Sequence, residues 1–164
     1  MSKAFTKESD DGAPDEVAPA ALVLPPGTRN YVTPAGLAAY HAELAALDAA
    51  AAAPAAAPAD APARARAARR KAALAQRLEL AEVIDPAAQP TDVVRFGHAV
   101  AVDTPGGPRV YHIVGLDETD PRAGRISWLS PIAAALLGSK VGEVVTVVQA
   151  GREAEWEITG IHAP

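Results

Sequence analysis

The chain has 164 residues, and its 15 Lys and Arg against 20 Asp and Glu give a formal net charge of −5 at pH 7. This length accommodates one ordinary domain, or a small domain with extensions. The negative balance argues against a general polyanion-binding protein. The absence of cysteine excludes disulfide scaffolds, thiolate metal sites and thiol nucleophiles. Because the polar N-terminus lacks a signal peptide and no apolar run reaches about 20 residues, we expect a cytoplasmic protein with no membrane partner.

Residues 1–28 predict a disordered acidic tail. The segment is rich in alanine and proline, and its acidic residues concentrate between Glu8 and Glu16. It has little apolar bulk to offset the entropy cost of ordering. A solvated tail is therefore favoured over an acidic interaction arm, although both interpretations fit the composition.

Residues 29–84 predict a short antiparallel helical hairpin of the coiled-coil type. Thr33 suits an N-cap, and Pro34 suits the first helical position. Apolar residues then follow at 3-4-3 spacing and form a narrow seam, namely Leu37, Tyr40, Leu44 and Leu47. Prolines at 54, 58 and 62 interrupt the helix and place an Ala/Pro-rich tip at about 52–62. A second helix, from Ala63 to about Glu82, carries a matching seam.

The second helix concentrates positive charge near the tip of the hairpin. Its basic residues are Arg64, Arg66, Arg69, Arg70 and Lys71, with no acidic residue among them. Such a cluster is typical of contact with nucleic acid or with an acidic protein surface. A solvated helix face fits the same pattern.

Residues 85–92 predict a linker, and residues 93–164 predict an α+β domain. The predicted strands are 93–96, 99–103, 109–114, 125–128, 144–148 and 154–161, which favour an antiparallel sheet. One short helix lies among them, with Ser130 as its N-cap, Pro131 at its first position and Gly138 at its C-terminal end.

The segment from Ile126 to Gly142 resembles the C-terminal domain of the bacterial GreA/GreB transcript-cleavage factors. The preceding segment from Tyr111 to Pro121 and the final strand from Trp156 to Ile161 match the same family. Weaker matches cover Tyr31-Val-Thr-Pro-x-Gly36 and Val83-Ile-Asp85. The resemblance implies an FKBP-like fold for residues 93–164. It also implies a protein that binds RNA polymerase at the rim of the secondary channel, close to nucleic acid, and that is not itself an enzyme and needs no cofactor.

The resemblance also implies which residues dock on the polymerase. They lie on the strand-to-helix turn and the loop before it: Asp117, Asp120, Pro121, Ser127, Leu129, Ser130 and Pro131. Leu129 stands where relatives commonly have a polar residue. Family members carry an acidic pair at the hairpin tip that helps to hold Mg²⁺, a task suited to paired carboxylates. Here Asp60 is the only carboxylate of the tip. We therefore predict no catalytic residue, no metal site and no stimulation of transcript cleavage.

Three alternatives stay open. One is an active but divergent elongation factor that uses Asp60 or the acidic tail. Another is an FKBP-like isomerase or peptide-binding module. The third is a protein similar to the regulator of nucleoside diphosphate kinase, which shares this C-terminal domain. The four histidines (His41, His98, His112 and His162) show no metal-ligand spacing. The sequence leaves open the oligomeric state and whether transcription is activated or inhibited.

Overall fold

The structure is a computed structural model, and it describes residues 27–52, 61–149 and 151–163. Three α-helices and seven strands are present in these ranges, and the predicted α+β class is confirmed. The helices are α1 (Pro34–Ala52), α2 (Ala61–Glu79) and α3 (Pro131–Leu136). The strands are β1 (Asn30–Val32), β2 (Ala81–Val83), β3 (Ala99–Thr104), β4 (Gly107–Val114), β5 (Arg125–Ser127), β6 (Val144–Gln149) and β7 (Arg152–His162).

The helices α1 and α2 form the predicted hairpin. Helix α1 begins at Pro34 because Thr33 Oγ1 accepts a hydrogen bond from the Gly36 amide at 3.0 Å. A small core of Val32, Tyr40 and Leu74 joins the helices at the end nearest the sheet. The half-buried Leu44 and Leu47 of α1 extend this core toward the tip, whereas Leu37 and Leu78 lie at the base. The hairpin is therefore anchored at its base by large side chains, whereas alanine dominates farther out.

Helix α2 ends at Glu79, earlier than the predicted end at about residue 82. The next residues, Ala81–Val83, form β2, which pairs in parallel with β1. Backbone hydrogen bonding to β1 thus replaces the last helical turn. Each of these strands has only three residues.

The main sheet has five strands in the order β5-β4-β3-β7-β6. Its pairs are antiparallel except for β4 and β5, which are parallel, so the sheet is mixed where the sequence favoured an antiparallel one. The parallel pair arises because two short 3-10 helices, Leu116–Glu118 and Pro121–Ala123, carry the chain back before β5 begins.

Residues 93–96 are not a strand, so that prediction was wrong. The Val94 amide donates to the Ser139 carbonyl at 2.8 Å, and the Val94 carbonyl accepts from the Gly138 amide at 2.9 Å. The backbone of this segment therefore pairs with the turn after α3 and not with a sheet strand. The apolar residues that suggested a strand are buried for another reason, since Val94 belongs to the main core.

The main core lies between one face of the sheet and α3. Ser130 Oγ accepts from the Ala133 amide at 3.1 Å and so caps α3, as predicted. The fully buried side chains of the main core include Ile113, Leu136, Val147 and Ile158. Trp156 stacks on Tyr111 with ring centroids 5.5 Å apart.

Several predictions fall outside the described residues, namely nearly all of the acidic tail and the hairpin tip around Asp60. Within the described ranges, no helix combines the length and apolar character needed to cross a membrane. The same ranges hold no group of three or more His, Cys, Asp or Glu arranged to bind a metal ion.

Candidate functional site

Residues 127–131, which we call the docking turn, connect β5 to α3. Ser127 Oγ accepts from the Leu129 amide at 3.1 Å, and the Ser127 carbonyl accepts from the Ser130 amide at 2.9 Å. These bonds and the Ser130 cap fix the backbone of the turn on both sides. Leu129 remains 37% exposed, and Pro131 is also exposed. The turn is thus a rigid projection with an apolar side chain at its tip.

The docking turn packs against an aromatic side chain of β1. The Trp128 amide donates to the Val114 carbonyl at 3.0 Å. The Trp128 ring lies 4.9 Å from the Tyr31 ring, and Tyr31 lies 5.8 Å from Phe96. Trp128 therefore lies at the contact between β1 and the docking turn.

A second feature, which we call the junction cluster, joins the base of the hairpin to the sheet; its six members are Thr33, Tyr40, Arg77, Asp117, Glu118 and Arg125. At its centre, Glu118 accepts two hydrogen bonds from Thr33, from the amide at 2.9 Å and from the hydroxyl at 2.5 Å. The Glu118 side chain is only 5% exposed, and Arg125 lies 3.6 Å from its carboxylate. These partners compensate the burial of the Glu118 charge.

Asp117 takes part in the same cluster and binds both helices of the hairpin. Its carboxylate accepts from the Tyr40 hydroxyl at 2.6 Å and forms an ion pair with Arg77. Both charged side chains of the pair are 14% exposed. Burial, together with the bond to Asp117, raises the pKa of Tyr40 to about 12, so the hydroxyl stays protonated and donates. Asp117, predicted to contact a partner, is therefore engaged within the chain.

Two glycines allow the elements to approach this closely. A Cβ atom on Gly36 would lie 2.3 Å from Glu118 Cδ. A Cβ atom on Gly115 would lie 2.6 Å from Glu118 Oε1 and 2.8 Å from the Tyr31 carbonyl oxygen. Gly36 ends one segment that carried the family resemblance and Gly115 lies within another, so these segments meet at the junction cluster.

A groove of about 600 Å³ opens beside the junction cluster. Thr33, Glu118, His112 and Arg125 line it together with residues of the segment that follows β2. Two of its charged groups, Arg125 and Glu118, already lie against each other, and the Asp85 carboxylate accepts from the Ala87 amide. We assign it no separate chemistry.

The remaining predicted contact residues of the sheet domain lie close to the docking turn in the chain. Asp120 caps the 3-10 helix at Pro121, accepting from the Arg122 amide at 3.0 Å and the Ala123 amide at 3.3 Å. The backbone of Asp120 also bridges to Arg125 at the start of β5. Asp120 and Pro121 are exposed. They are accessible for contact, unlike Asp117.

The basic cluster of α2 divides into two groups. Arg70 forms two hydrogen bonds with Glu43, at 2.7 and 2.9 Å, and Lys71 pairs with Asp48. These two residues therefore connect α2 to α1. Arg64, Arg66 and Arg69 are exposed and have no ion pair within the described residues. Among the described residues, this second group is the part of the basic cluster without an ion-pair partner.

Sequence reasoning missed the central residues of the junction cluster, Glu118 and Arg125, as well as the contact made by Thr33 beyond capping. One signal was present: the acidic pair Asp117-Glu118 follows shortly after the buried end of β4 and Gly115. The partners of this pair lie up to 85 residues away in the chain. Only the fold identifies them.

Comparison with known proteins identifies relatives of the sheet domain. The family described as "Transcription elongation factor, GreA/GreB, C-term" matches residues 89–163. A transcription elongation factor GreA from Acidiphilium cryptum is 42% identical over 94 residues, which cover 56% of this chain and 60% of the relative. A GreA from Alkalilimnicola ehrlichii is 47% identical over 88 residues, covering 52% of this chain and 56% of the relative. The alignments thus span about 60% of the length of these curated relatives.

Comparison with solved structures finds the GreA factor homolog 1 (Gfh1) of Thermus thermophilus. It is 19% identical, with a TM-score of 0.39, and the alignment covers 83% of this chain and all of that chain (100%). A GreA/GreB factor from Nitrosomonas europaea is 20% identical, with a TM-score of 0.39, covering 81% of this chain and 98% of the other.

Proposed function

We propose that this chain, whose residues 89–163 match the C-terminal domain of the GreA/GreB family, is a transcription elongation regulator. It would bind RNA polymerase at the secondary-channel rim without stimulating transcript cleavage. Such a protein would act in the cytoplasm. It would modulate RNA polymerase, or compete with cleavage factors for it, without itself being an enzyme. The observation that carries the proposal is the family match over residues 89–163, which includes the whole docking turn.

The geometry of the docking turn supports contact with a protein partner. A projection that is already rigid loses little conformational entropy on binding. Its exposed residues combine an apolar side chain, Leu129, with a proline, and interface centres favour such apolar contacts. Asp120 and Pro121 lie on the exposed 3-10 helix just before β5 and extend the proposed surface. Asp117 contributes indirectly, because its bonds to Tyr40 and Arg77 fix the hairpin relative to the turn.

The composition of the tip supports the absence of cleavage stimulation. Mg²⁺ is held by several oxygen ligands in near-octahedral geometry, and a single carboxylate supplies too few. Asp60 is the only acidic residue between Ala52 and Ala61. Each arm of the hairpin has 19 helical residues in the part of the chain that the structure describes, or roughly 28 Å at about 1.5 Å per residue. The hairpin would therefore enter the polymerase channel without carrying a metal site at its tip.

Three arginines of α2 that have no ion pair within the described residues support proximity to nucleic acid. Arg64, Arg66 and Arg69 lie at the end of α2 nearest the tip, where a hairpin in the channel would pass closest to RNA. Contacts with phosphate depend on salt, because binding releases counterions. The net charge of −5 limits such contacts to this local surface.

The proposal is tested by competition with an authentic GreA for core RNA polymerase. We expect saturable binding that displaces GreA, and no RNA cleavage in a backtracked complex in which GreA does cleave. Leu129→Asp places a charge at the tip of the docking turn and should weaken binding by about tenfold or more, equivalent to at least 1.4 kcal/mol. Val141→Asp is the matched control, since Val141 is 55% exposed outside the turn.

Three results would contradict the proposal in different ways. Absence of binding would remove the polymerase as partner and favour the peptide-binding alternative. Binding that is unaffected by Leu129→Asp would move the interface away from the docking turn. Transcript cleavage that depends on this protein would contradict the proposed lack of cleavage stimulation and would favour a divergent active factor.

A further inference from the structure

The strand β6 forms one edge of the main sheet and pairs only with β7 among the described residues. The Ile158 amide donates to the Glu143 carbonyl at 2.9 Å, which fixes the hydrogen-bonding phase of this antiparallel pair. In such a pair the main-chain groups alternate in direction. Residues 145, 147 and 149 therefore face β7. The N–H and C=O groups of residues 144, 146 and 148 are directed away from the sheet.

This edge lacks the features that usually prevent strand pairing. Natural edge strands carry lysines, prolines, bulges or inward-pointing charges. The sequence of β6 is Val-Val-Thr-Val-Val-Gln, without charge, proline or glycine. Val144 is 58% exposed and Val148 is 51% exposed, on the face of the sheet opposite the core. An uncharged segment of high β propensity on an open edge is suited to adding another strand.

The sequence of β6 also indicates which strand it would accept. Residues 144–148 read Val-Val-Thr-Val-Val and are symmetric about Thr146. An antiparallel copy related by a two-fold axis at Thr146 would place Val144 against the partner's Val148, and Thr146 against the partner's Thr146. Valine pairs and threonine pairs both stabilise neighbouring strands. Such a contact is isologous and closes as a dimer.

We propose that this protein forms a two-fold symmetric dimer by antiparallel pairing of β6 with β6 of a second copy. The outward-directed N–H and C=O groups of residues 144, 146 and 148 in each copy then form about six main-chain hydrogen bonds between the copies. The two sheets then form one continuous ten-stranded sheet.

Electrostatics permit this arrangement. The nearest row of like charges is on β7, where Glu153, Glu155 and Glu157 are exposed beside β6. In the dimer, the two glutamate rows lie three strand spacings apart, or about 14 Å. This separation exceeds the Debye length of about 8 Å at physiological salt, so repulsion between the rows is small. The docking turn follows β5 at the opposite edge of the sheet, which makes the dimer contact separate from the proposed polymerase contact.

Disulfide trapping tests the register directly, because the chain has no cysteine of its own. Residues in a hydrogen-bonded antiparallel pair have Cα atoms about 5.5 Å apart, within the range that disulfides span. We expect full-length Thr146→Cys to form a disulfide-linked dimer under mild oxidation. Val110→Cys should stay monomeric, since Val110 is 50% exposed on β4, three strands from this edge. Equal cross-linking of both variants would overturn the proposal.

A charge-swap experiment tests the symmetry without covalent trapping. Thr146 is exposed, so Thr146→Lys and Thr146→Glu should fold normally. Each variant places like charges opposite each other in a homodimer and should be monomeric in sedimentation equilibrium at concentrations where the wild-type protein is dimeric. An equimolar mixture of the two variants should restore a species of twice the monomer mass. A wild-type protein that stays monomeric up to about 100 μM, or a mixture that fails to associate, would overturn the proposal.

Discussion

His98 is a fully buried histidine whose environment favours the neutral form. Its Nδ1 accepts a hydrogen bond from the Arg95 amide at 3.1 Å, and its side chain is 0% exposed. Burial lowers the pKa of His98 below 6.5, and the nearby positive charge of Arg95 lowers it further. The unfolded chain therefore binds a proton at a higher pH than the folded chain does. Stability is full above about pH 6.5 and falls as the pH drops below that value.

We predict that His98→Asn reduces this pH dependence. The asparagine carbonyl can replace Nδ1 as the acceptor for the Arg95 amide, and asparagine does not titrate. The urea midpoint of the wild-type protein should fall between pH 7 and pH 5, whereas that of the variant should change less. This window excludes the ion-paired carboxyl groups of Glu43 and Asp92, whose lowered pKa values lie below it. Parallel pH profiles for the two proteins would show that His98 does not titrate on unfolding.

At the scale of single elements, the hairpin depends on a few large side chains at its base. Leu74 is fully buried between α1 and α2, beside Tyr40 and Val32. The next turns toward the tip contain mostly alanine, which buries little apolar area. The exposed ion pair of Arg70 with Glu43 adds only about 0.2–1 kcal/mol. Stability of the hairpin should thus follow Leu74 more than its charges.

We predict that Leu74→Ala lowers the free energy of unfolding by about 2–5 kcal/mol, because it removes buried methyl groups and leaves a cavity. Leu80→Ala is the matched control. Leu80 is 60% exposed just after α2, so its truncation should cost no more than about 0.5 kcal/mol. Urea denaturation followed by far-ultraviolet circular dichroism measures both. Similar losses in the two variants would contradict the assignment of Leu74 as the anchor of the hairpin.

The same scale shows why parts of the fold were predictable from the sequence and others were not. The cap at Ser130 and the seams of the hairpin are local patterns of residue type and spacing, and the structure has both. The strands β1 and β2 have three residues each, too few for a detectable alternation. Residues 93–96 have the composition of a strand, but pair with the turn after α3. Composition reports burial and does not identify the hydrogen-bonding partner.

At the scale of the whole molecule, the junction cluster was beyond sequence reasoning because its members come from four separate segments. Thr33 and Glu118 are 85 residues apart, and Tyr40 and Asp117 are 77 apart. The docking turn, by contrast, lies within five consecutive residues. A local motif can be read along the chain, whereas a contact between the hairpin and the sheet depends on how the complete fold brings the two together. Glu118 illustrates the difference, since its neighbour Asp117 drew attention only through the family resemblance.

We predict that Gly115→Ala loosens the hairpin from the sheet. Gly115 has φ −62° and ψ 163°, which alanine also adopts, so any effect is steric. The added Cβ atom would lie 2.8 Å from the Tyr31 carbonyl oxygen, a backbone atom, and 2.6 Å from Glu118 Oε1. Relief requires β1 and the Glu118 carboxylate to move away from residue 115, which strains the hydrogen bonds between Glu118 and Thr33. Overpacking of this kind costs about 1–3 kcal/mol.

The loss of stability should appear at the junction cluster before it appears in the sheet. The main core lies between the sheet and α3 and does not include Gly115. Hydrogen exchange of the Thr33 amide, which donates to Glu118, should accelerate in Gly115→Ala, while exchange of the β3 and β7 amides changes less. Gly106→Ala is the control, since a Cβ atom there meets nothing closer than 3.7 Å. Equal acceleration of amide exchange across the hairpin and the sheet would contradict the prediction. It would mean that the two unfold as one unit and that the junction cluster does not open separately.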